Sequence, residues 1–195
     1  TYLHRLVEWG YTMSKIGRKP IQVNNIQVTL KGQEVHYKGP KDSGVYVLPE
    51  ELKAVLEGST LTLQVSQKTS KPDRDVNRVW GLHRALLFNS LSGAAADFEK
   101  TVKINGLGFK AVASGNNLVF SLGYSHKIDF ELPKQVTVVI DKTGQILTIK
   151  STNKELAGAV VSKIEALRPT EPYKGTGIKD VSKTIFRKPG KTKSS

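Results

Sequence analysis

The chain contains no cysteine and a single methionine. Without thiols it has no disulfide, no thiolate-ligated zinc site and no cysteine nucleophile, a usage that fits a reducing compartment. It has no run of about 18 apolar residues, the length that a membrane-spanning helix needs. Acidic residues are scarce beside basic ones: 17 Asp and Glu stand against 30 Lys and Arg in 195 residues, a net charge of +13. At 38% hydrophobic the chain has material for a core, so full disorder is excluded and one large or two small domains are expected. A balance this positive favours an anionic partner, of which nucleic acid is the commonest.

The charge is unevenly placed. Residues 168–195 hold eight basic groups (Arg168, Lys174, Lys179, Lys183, Arg187, Lys188, Lys191 and Lys193) and two acids, Glu171 and Asp180, a net of +6. Residues 13–167 hold 21 basic and 14 acidic groups, a net of +7 over more than five times the length. A basic arm therefore follows a milder body. Residues 1–12 include Leu3, Leu6, Val7 and Trp9 but lack the pattern of a secretory signal, and they read as an extension of unknown origin.

Short alternating runs fill residues 21–65: Ile26 to Leu30, Glu34 to Lys38, Gly44 to Leu48 and Leu61 to Val65. β-Branched or aromatic residues at period two, bounded by Gly, Pro or Asn, predict antiparallel strands. A polar segment over 66–77 reads as a loop. A helix is expected next over 79–91, with Val79, Leu82, Leu86 and Leu87 on one face and Gly93 as its stop. The plan then recurs, with strands expected at 101–104, 108–113, 117–122, 127–132, 136–140 and 145–150, and a helix over 153–167 facing inward through Leu156, Val160, Ile164 and Leu167. Leu48-Pro49 answers Leu132-Pro133, and Leu61-Thr62 answers Leu147-Thr148. Gly81 and Gly158, near the helix starts, are expected to admit close approach to each sheet. The order of elements predicts a duplicated sheet-plus-helix unit.

Little of the sequence suggests catalysis. Gly106-Leu-Gly108-Phe-Lys-Ala111 has the spacing of a dinucleotide fingerprint, but that motif must open a helix, and here it leads into a hairpin pattern. Its glycines are expected to permit a bulge or close contact at a strand entrance. The histidines His4, His36, His83 and His126 lack metal-site spacing, and adjacent Ser125 and His126 cannot pair as nucleophile and base across a strand. Asp129 and Glu131 read as a solvated strand face. An enzyme acting on an anionic substrate between the two units would need convergent titratable groups, which no credible spacing supplies.

Residues 168–178, Arg-Pro-Thr-Glu-Pro-Tyr-Lys-Gly-Thr-Gly-Ile, carry more information. Pro169 and Pro172 stop and stiffen the helix exit, Gly175 and Gly177 admit positive φ and close backbone approach, and Tyr173 and Lys174 offer a ring and a cation. Such a stretch suits a backbone threaded against phosphates, with Tyr173 stacking on a base or bonding a phosphate oxygen. With these residues the chain resembles the large-subunit ribosomal protein L-six family of bacterial or organellar type, over residues 13–188. The resemblance rests on Met13-Ser-Lys-Ile-Gly-Arg-Lys-Pro-Ile21, on Gly106 to Ala111 followed by Leu122-Gly-Tyr-Ser-His126, and on Glu171-Pro-Tyr-Lys-Gly-Thr-Gly-Ile178. Thr170 and Thr176 depart from the family signature, the second removing a cation, while Lys127, Phe109 and Lys110 are substitutions of which the last two keep ring and charge.

The resemblance implies an α+β protein of two tandem copies of a small domain, each a mainly antiparallel sheet packed against one helix, plus a basic C-terminal tail. Boundaries are expected at 1–12 for the extension, 13–94 and 95–178 for the repeats, the second bearing the signature, and 179–195 for the tail. It implies a non-enzymatic constituent of the large ribosomal subunit, without cofactor, metal, membrane or small-molecule substrate. Its partners would be large-subunit rRNA near the stalk base, neighbouring ribosomal proteins and, close by, translation GTPases, on the cytoplasmic ribosome of a bacterium or alternatively an organellar one. Expected rRNA contacts are Arg168, Tyr173, Lys174, Gly175, Gly177, Lys179, Lys183, Arg187 and Lys188, with Lys110 and Lys150 from the second unit and Lys15, Arg18 and Lys19 at the start of the first.

Overall fold

The computed structural model describes residues 14–66 and 74–191. The expected extension 1–12 and most of the expected 66–77 loop lie outside them. The chain divides into two compact units, Thr1–Ala96 and Asp97–Ser195.

In the first unit, β1 (Ile21–Gln22) precedes a three-stranded meander of β2 (Gln27–Lys31), β3 (Glu34–Lys38) and β4 (Ser43–Val47). A hairpin of β5 (Leu52–Glu57) and β6 (Thr60–Val65) follows, with β1 on the outer side of β6, and then α1 (Arg74–Ala95). The second unit repeats the order. Here β7 (Phe98–Asn105) is followed by the meander β8 (Lys110–Ser114), β9 (Asn117–Ser121) and β10 (Ile128–Glu131), the hairpin β11 (Val136–Ile140) and β12 (Ile146–Ser151), and α2 (Lys154–Leu167). β7 lies against β12 as β1 lies against β6. The second unit then adds a strand, β13 (Gly177–Asp180), on the free side of β7.

The duplication extends to individual backbone hydrogen bonds. Leu48 N–H donates to Gln33 C=O at 2.8 Å, and Leu132 N–H to Asn116 C=O at 3.2 Å. Leu52 N–H donates to Pro49 C=O, and Val136 N–H to Pro133 C=O, both at 3.0 Å. Val23 to Ser59 and Ile104 to Gln145 make a third matched pair at 2.8 Å. The two Leu-Pro landmarks therefore occupy the same turn in each unit. Each hairpin places alternate apolar side chains inward, so each unit closes its own core: Ile21, Leu52, Leu61, Leu63, Trp80 and Leu87 in the first, and Val102, Phe120, Leu147, Ile149, Val160 and Ile164 in the second.

The helices depart from expectation in phase and length. α1 buries Trp80, Leu87, Leu91 and Ala94, whereas Leu82 and Leu86 are exposed. At about 100° per residue, Leu82 lies about 200° around from Trp80, and the indole sets the phase because it fills the space under the helix and donates to Leu63 C=O at 2.9 Å. Gly93 is buried inside α1 and does not stop it. A Cβ at Gly81 would lie 3.0 Å from Ser14 Oγ, while Gly158 faces open space, so neither glycine is there to admit its sheet. α2 starts as expected, with Asn153 Oδ1 accepting from the N–H groups of Glu155 and Leu156.

The Gly106–Ala111 stretch enters a strand and no helix. Gly106 and Gly108 have φ of +156° and +74°, and Phe109 N–H donates back to Gly106 C=O ahead of β8. Asp129 and Glu131 are exposed on one face of β10. Leu147 is fully buried and Val139 is 54% exposed. Leu147→Ala should therefore cost about 2–5 kcal/mol, and Val139→Ala about 1 kcal/mol or less, read as shifts in the urea unfolding midpoint.

Candidate nucleic-acid interface

α2 ends at Leu167 because Arg168 turns to φ −151° and ψ 88° ahead of Pro169, whose ring disfavours further helix. The chain then folds tightly on itself. Gly175 N–H donates to Glu171 C=O at 3.0 Å, Glu171 N–H to Thr176 C=O at 2.8 Å, and the Thr176 hydroxyl to the Glu171 carboxylate at 3.1 Å. Gly175 has φ +72° and Gly177 φ +128°. A Cβ on Gly177 would lie 2.5 Å from Pro169 O, a separation that backbone atoms cannot relieve cheaply, so the residue must be glycine. From there the backbone runs antiparallel to β7, with Gly177 opposite Asn105 and Asp180 opposite Val102, while Ile178 N–H donates to Arg168 C=O at 2.8 Å.

Two carboxylates fasten this strand. Glu165 on α2 accepts the Asp180 N–H at 2.6 Å through one oxygen and the Lys183 ammonium at 2.5 Å through the other. Asp180 is buried, accepts from Ser182 N–H at 2.9 Å, and pairs with Lys100 at 3.4 Å. Burial works against its charge, yet the Ser182 hydrogen bonds and the Lys100 ammonium outweigh that and hold the Asp180 carboxyl below its ordinary value. The Lys183 ammonium is held above its ordinary value, chiefly by its hydrogen bond to Glu165.

Beyond the strand the chain returns to the turn. Lys188 N–H donates to Pro172 C=O at 3.0 Å, and the Arg187 guanidinium lies against Gly175, 3.0 Å from the place a Cβ would take. Tyr173, Lys174, Arg187 and Lys188 are thus gathered on one exposed surface. Gly175 and Gly177 are buried beneath it, and the close approaches they permit are to this chain's own Arg187 and Pro169. Lys179 is half-buried on the outer face of β13, directly opposite Lys103, a like-charged neighbour that sequence inspection missed because only strand register reveals it.

The other expected contacts fall elsewhere. Lys183 is committed to Glu165, and Lys150 forms an ion pair with Glu99 across β12 and β7. Lys110 is exposed at the start of β8. Arg168 is partly buried, its guanidinium 4.8 Å from the Tyr124 ring centre and 5.6 Å from that of Phe109. Lys15, Arg18 and Lys19 are exposed on a turn of the first unit, where Arg84 donates to the carbonyls of Lys19 and Pro20 at 3.1 and 3.2 Å. Among the described residues, Lys174, Arg187 and Lys188 make no ion pair.

The lowered folded-state pKa of Asp180 fixes a sign. Its stabilisation is complete above the unfolded value of about 3.9 and is lost as pH falls through the lower folded value. Asp180→Asn should cost about 1–3 kcal/mol at pH 7. The gap between wild type and variant should narrow at pH 3, measured by urea unfolding at both pH values.

The family described as Ribosomal protein L6 matches residues 105–181, which run from the end of β7 just past β13. The large ribosomal subunit protein uL6 of Azorhizobium caulinodans is 38% identical over 182 residues, 93% of this chain and 100% of that protein. The uL6 proteins of Nautilia profundicola and Desulforapulum autotrophicum are 38% and 36% identical, each over 92% of this chain and 98% of its own length. Relatives this similar over almost the whole chain place it: it belongs to the uL6 family of large ribosomal subunit proteins.

Proposed function

We propose that the protein is a structural constituent of the large ribosomal subunit that binds large-subunit rRNA through residues 168–191. Family members are structural components of the ribosome and not enzymes. The observation that carries the reading is the surface made by Tyr173, Lys174, Arg187 and Lys188: three cations without acidic partners among the described residues, beside a 54% exposed ring, on backbone fastened to the sheet. Exposed lysine and arginine neutralise phosphates and release counterions, while a fixed tyrosine offers its face to a base or its hydroxyl to a phosphate oxygen. Lys179 with Lys103 and exposed Lys110 extend the positive surface of the second unit, and Lys15, Arg18 and Lys19 provide a separate one in the first. By resemblance we place the rRNA site near the stalk base, where translation GTPases dock. The relatives named above are bacterial, and the proposed location is the cytoplasmic ribosome of a bacterium, or alternatively an organellar ribosome of bacterial type.

A stoichiometric constituent should co-sediment with large subunits in a sucrose gradient at about 0.1 M salt; a protein remaining at the top would contradict the proposal. If about six phosphates are neutralised, log affinity for purified large-subunit rRNA should fall against log salt with a slope near −5. Replacing Lys174, Arg187 and Lys188 together by Ala should flatten that slope by about 2–3 units. An unchanged slope in filter binding would move the phosphate contacts elsewhere.

A further inference from the structure

The Gly106–Gly108 turn and the 122–127 bend are far apart in sequence but share one foundation, the Phe109 ring. A Cβ on Gly106 would lie 2.4 Å from Cδ2 of that ring and one on Gly123 2.8 Å from Cε1, so the two loops press their backbones onto opposite sides of one ring. Arg168 adds a cation over Phe109 and over Tyr124. Tyr124 is fixed by donating its hydroxyl to Leu167 C=O at 3.1 Å, and His126 stacks on it with ring centres 6.3 Å apart and planes 26° apart. Tyr124 thus has a guanidinium near its ring and a near-parallel imidazole beside it, and His126 is exposed. At the tip of the neighbouring turn Leu107 is fully exposed between two glycines of positive φ.

Phe109 packs against the second core, but the exposed Leu107, Tyr124 and His126 have no part in it. A wholly exposed leucine on a tight glycine turn gains nothing from burial, and an exposed imidazole stacked on a fixed tyrosine leaves a π face open to solvent. Residues 106–111, 122–127 and 168 contain Lys110, Lys127 and Arg168 and no acid. A near-parallel phenol and imidazole with a guanidinium beside them, on loops that contribute cations and no acid, match the chemistry of an unpaired nucleotide, whose base has a π face and whose phosphates are anionic.

We propose that Tyr124, His126 and Arg168, with Leu107 on the turn that packs against the same Phe109 ring, form a second RNA site that takes an unpaired base of large-subunit rRNA onto the open face of His126. This rests on the rRNA-binding function proposed above but uses stacking where the surface of Lys174, Arg187 and Lys188 uses charge. The two can therefore be told apart by their salt dependence.

The test measures binding of full-length protein to purified large-subunit rRNA by filter retention across a salt series. His126→Ala should weaken binding about tenfold with an unchanged salt slope, and His126→Phe, which keeps a ring and removes any charge, should restore it. Leu107→Ser, at an exposed position with no packing to lose, should weaken binding with the slope again unchanged. If wild type binds and His126→Ala binds equally well, the stacking site is wrong and the function proposed above stands. The stacking proposal is equally overturned if affinity falls but His126→Phe fails to restore it. If wild-type protein does not bind rRNA at all, the broader reading fails first.

Discussion

The pairing of Gly177–Asp180 with the free side of Phe98–Asn105 is the constraint on which the rest of the second unit's surface depends. Without it, residues 168–191 would be a tether leaving a helix. With it, they become backbone at fixed register, opposite Asn105, Ile104, Lys103 and Val102. The matched repeats show what was added. β1 and β7 hold the same place beside their hairpins, yet only β7, among the described strands, carries a further strand on its other side.

The acids of this region have a structural task. Glu165 holds the Asp180 backbone and the Lys183 ammonium, and Asp180 holds Ser182 and Lys100, so two largely covered carboxylates are paired with two lysines that reach them from the surface. Cations left without such partners, Lys174, Arg187 and Lys188, lie at the turn above. The result is an interface whose fastening and whose charge come from different residues. Loss of a fastening carboxylate therefore acts through stability, and loss of an exposed lysine acts through affinity for an anion.

Much of the fold was legible from period-two alternation, because Val28, Leu30, Val35, Leu61 and Leu63 need only a one-sided core to be strands. β5 was missed because Leu52-Lys-Ala-Val-Leu-Glu57 consists largely of good helix formers and becomes a strand through its six-residue register with β6. β13 was missed for a related reason: Gly-Ile-Lys-Asp has no pattern of its own and is ordered by the edge that receives it. The strand also crosses the boundary that the sequence suggested between 178 and 179. At the interface, the basic residues and the glycine signature were visible in one dimension. The pairings of Lys183 with Glu165, Lys150 with Glu99 and Arg168 with two rings were not, since each joins residues distant in sequence.

The absence of cysteine gives the most direct measurement. Lys188→Cys introduces a single thiol on the surface beside Tyr173 and Lys174, to which an iron chelate can be attached before the protein is incorporated into large subunits. Hydroxyl radicals generated there should cut large-subunit rRNA at a small cluster of nucleotides. Absence of rRNA cleavage from residue 188, with cleavage from a thiol placed elsewhere on the same incorporated chain, would contradict the assignment of the C-terminal surface as the RNA-facing one.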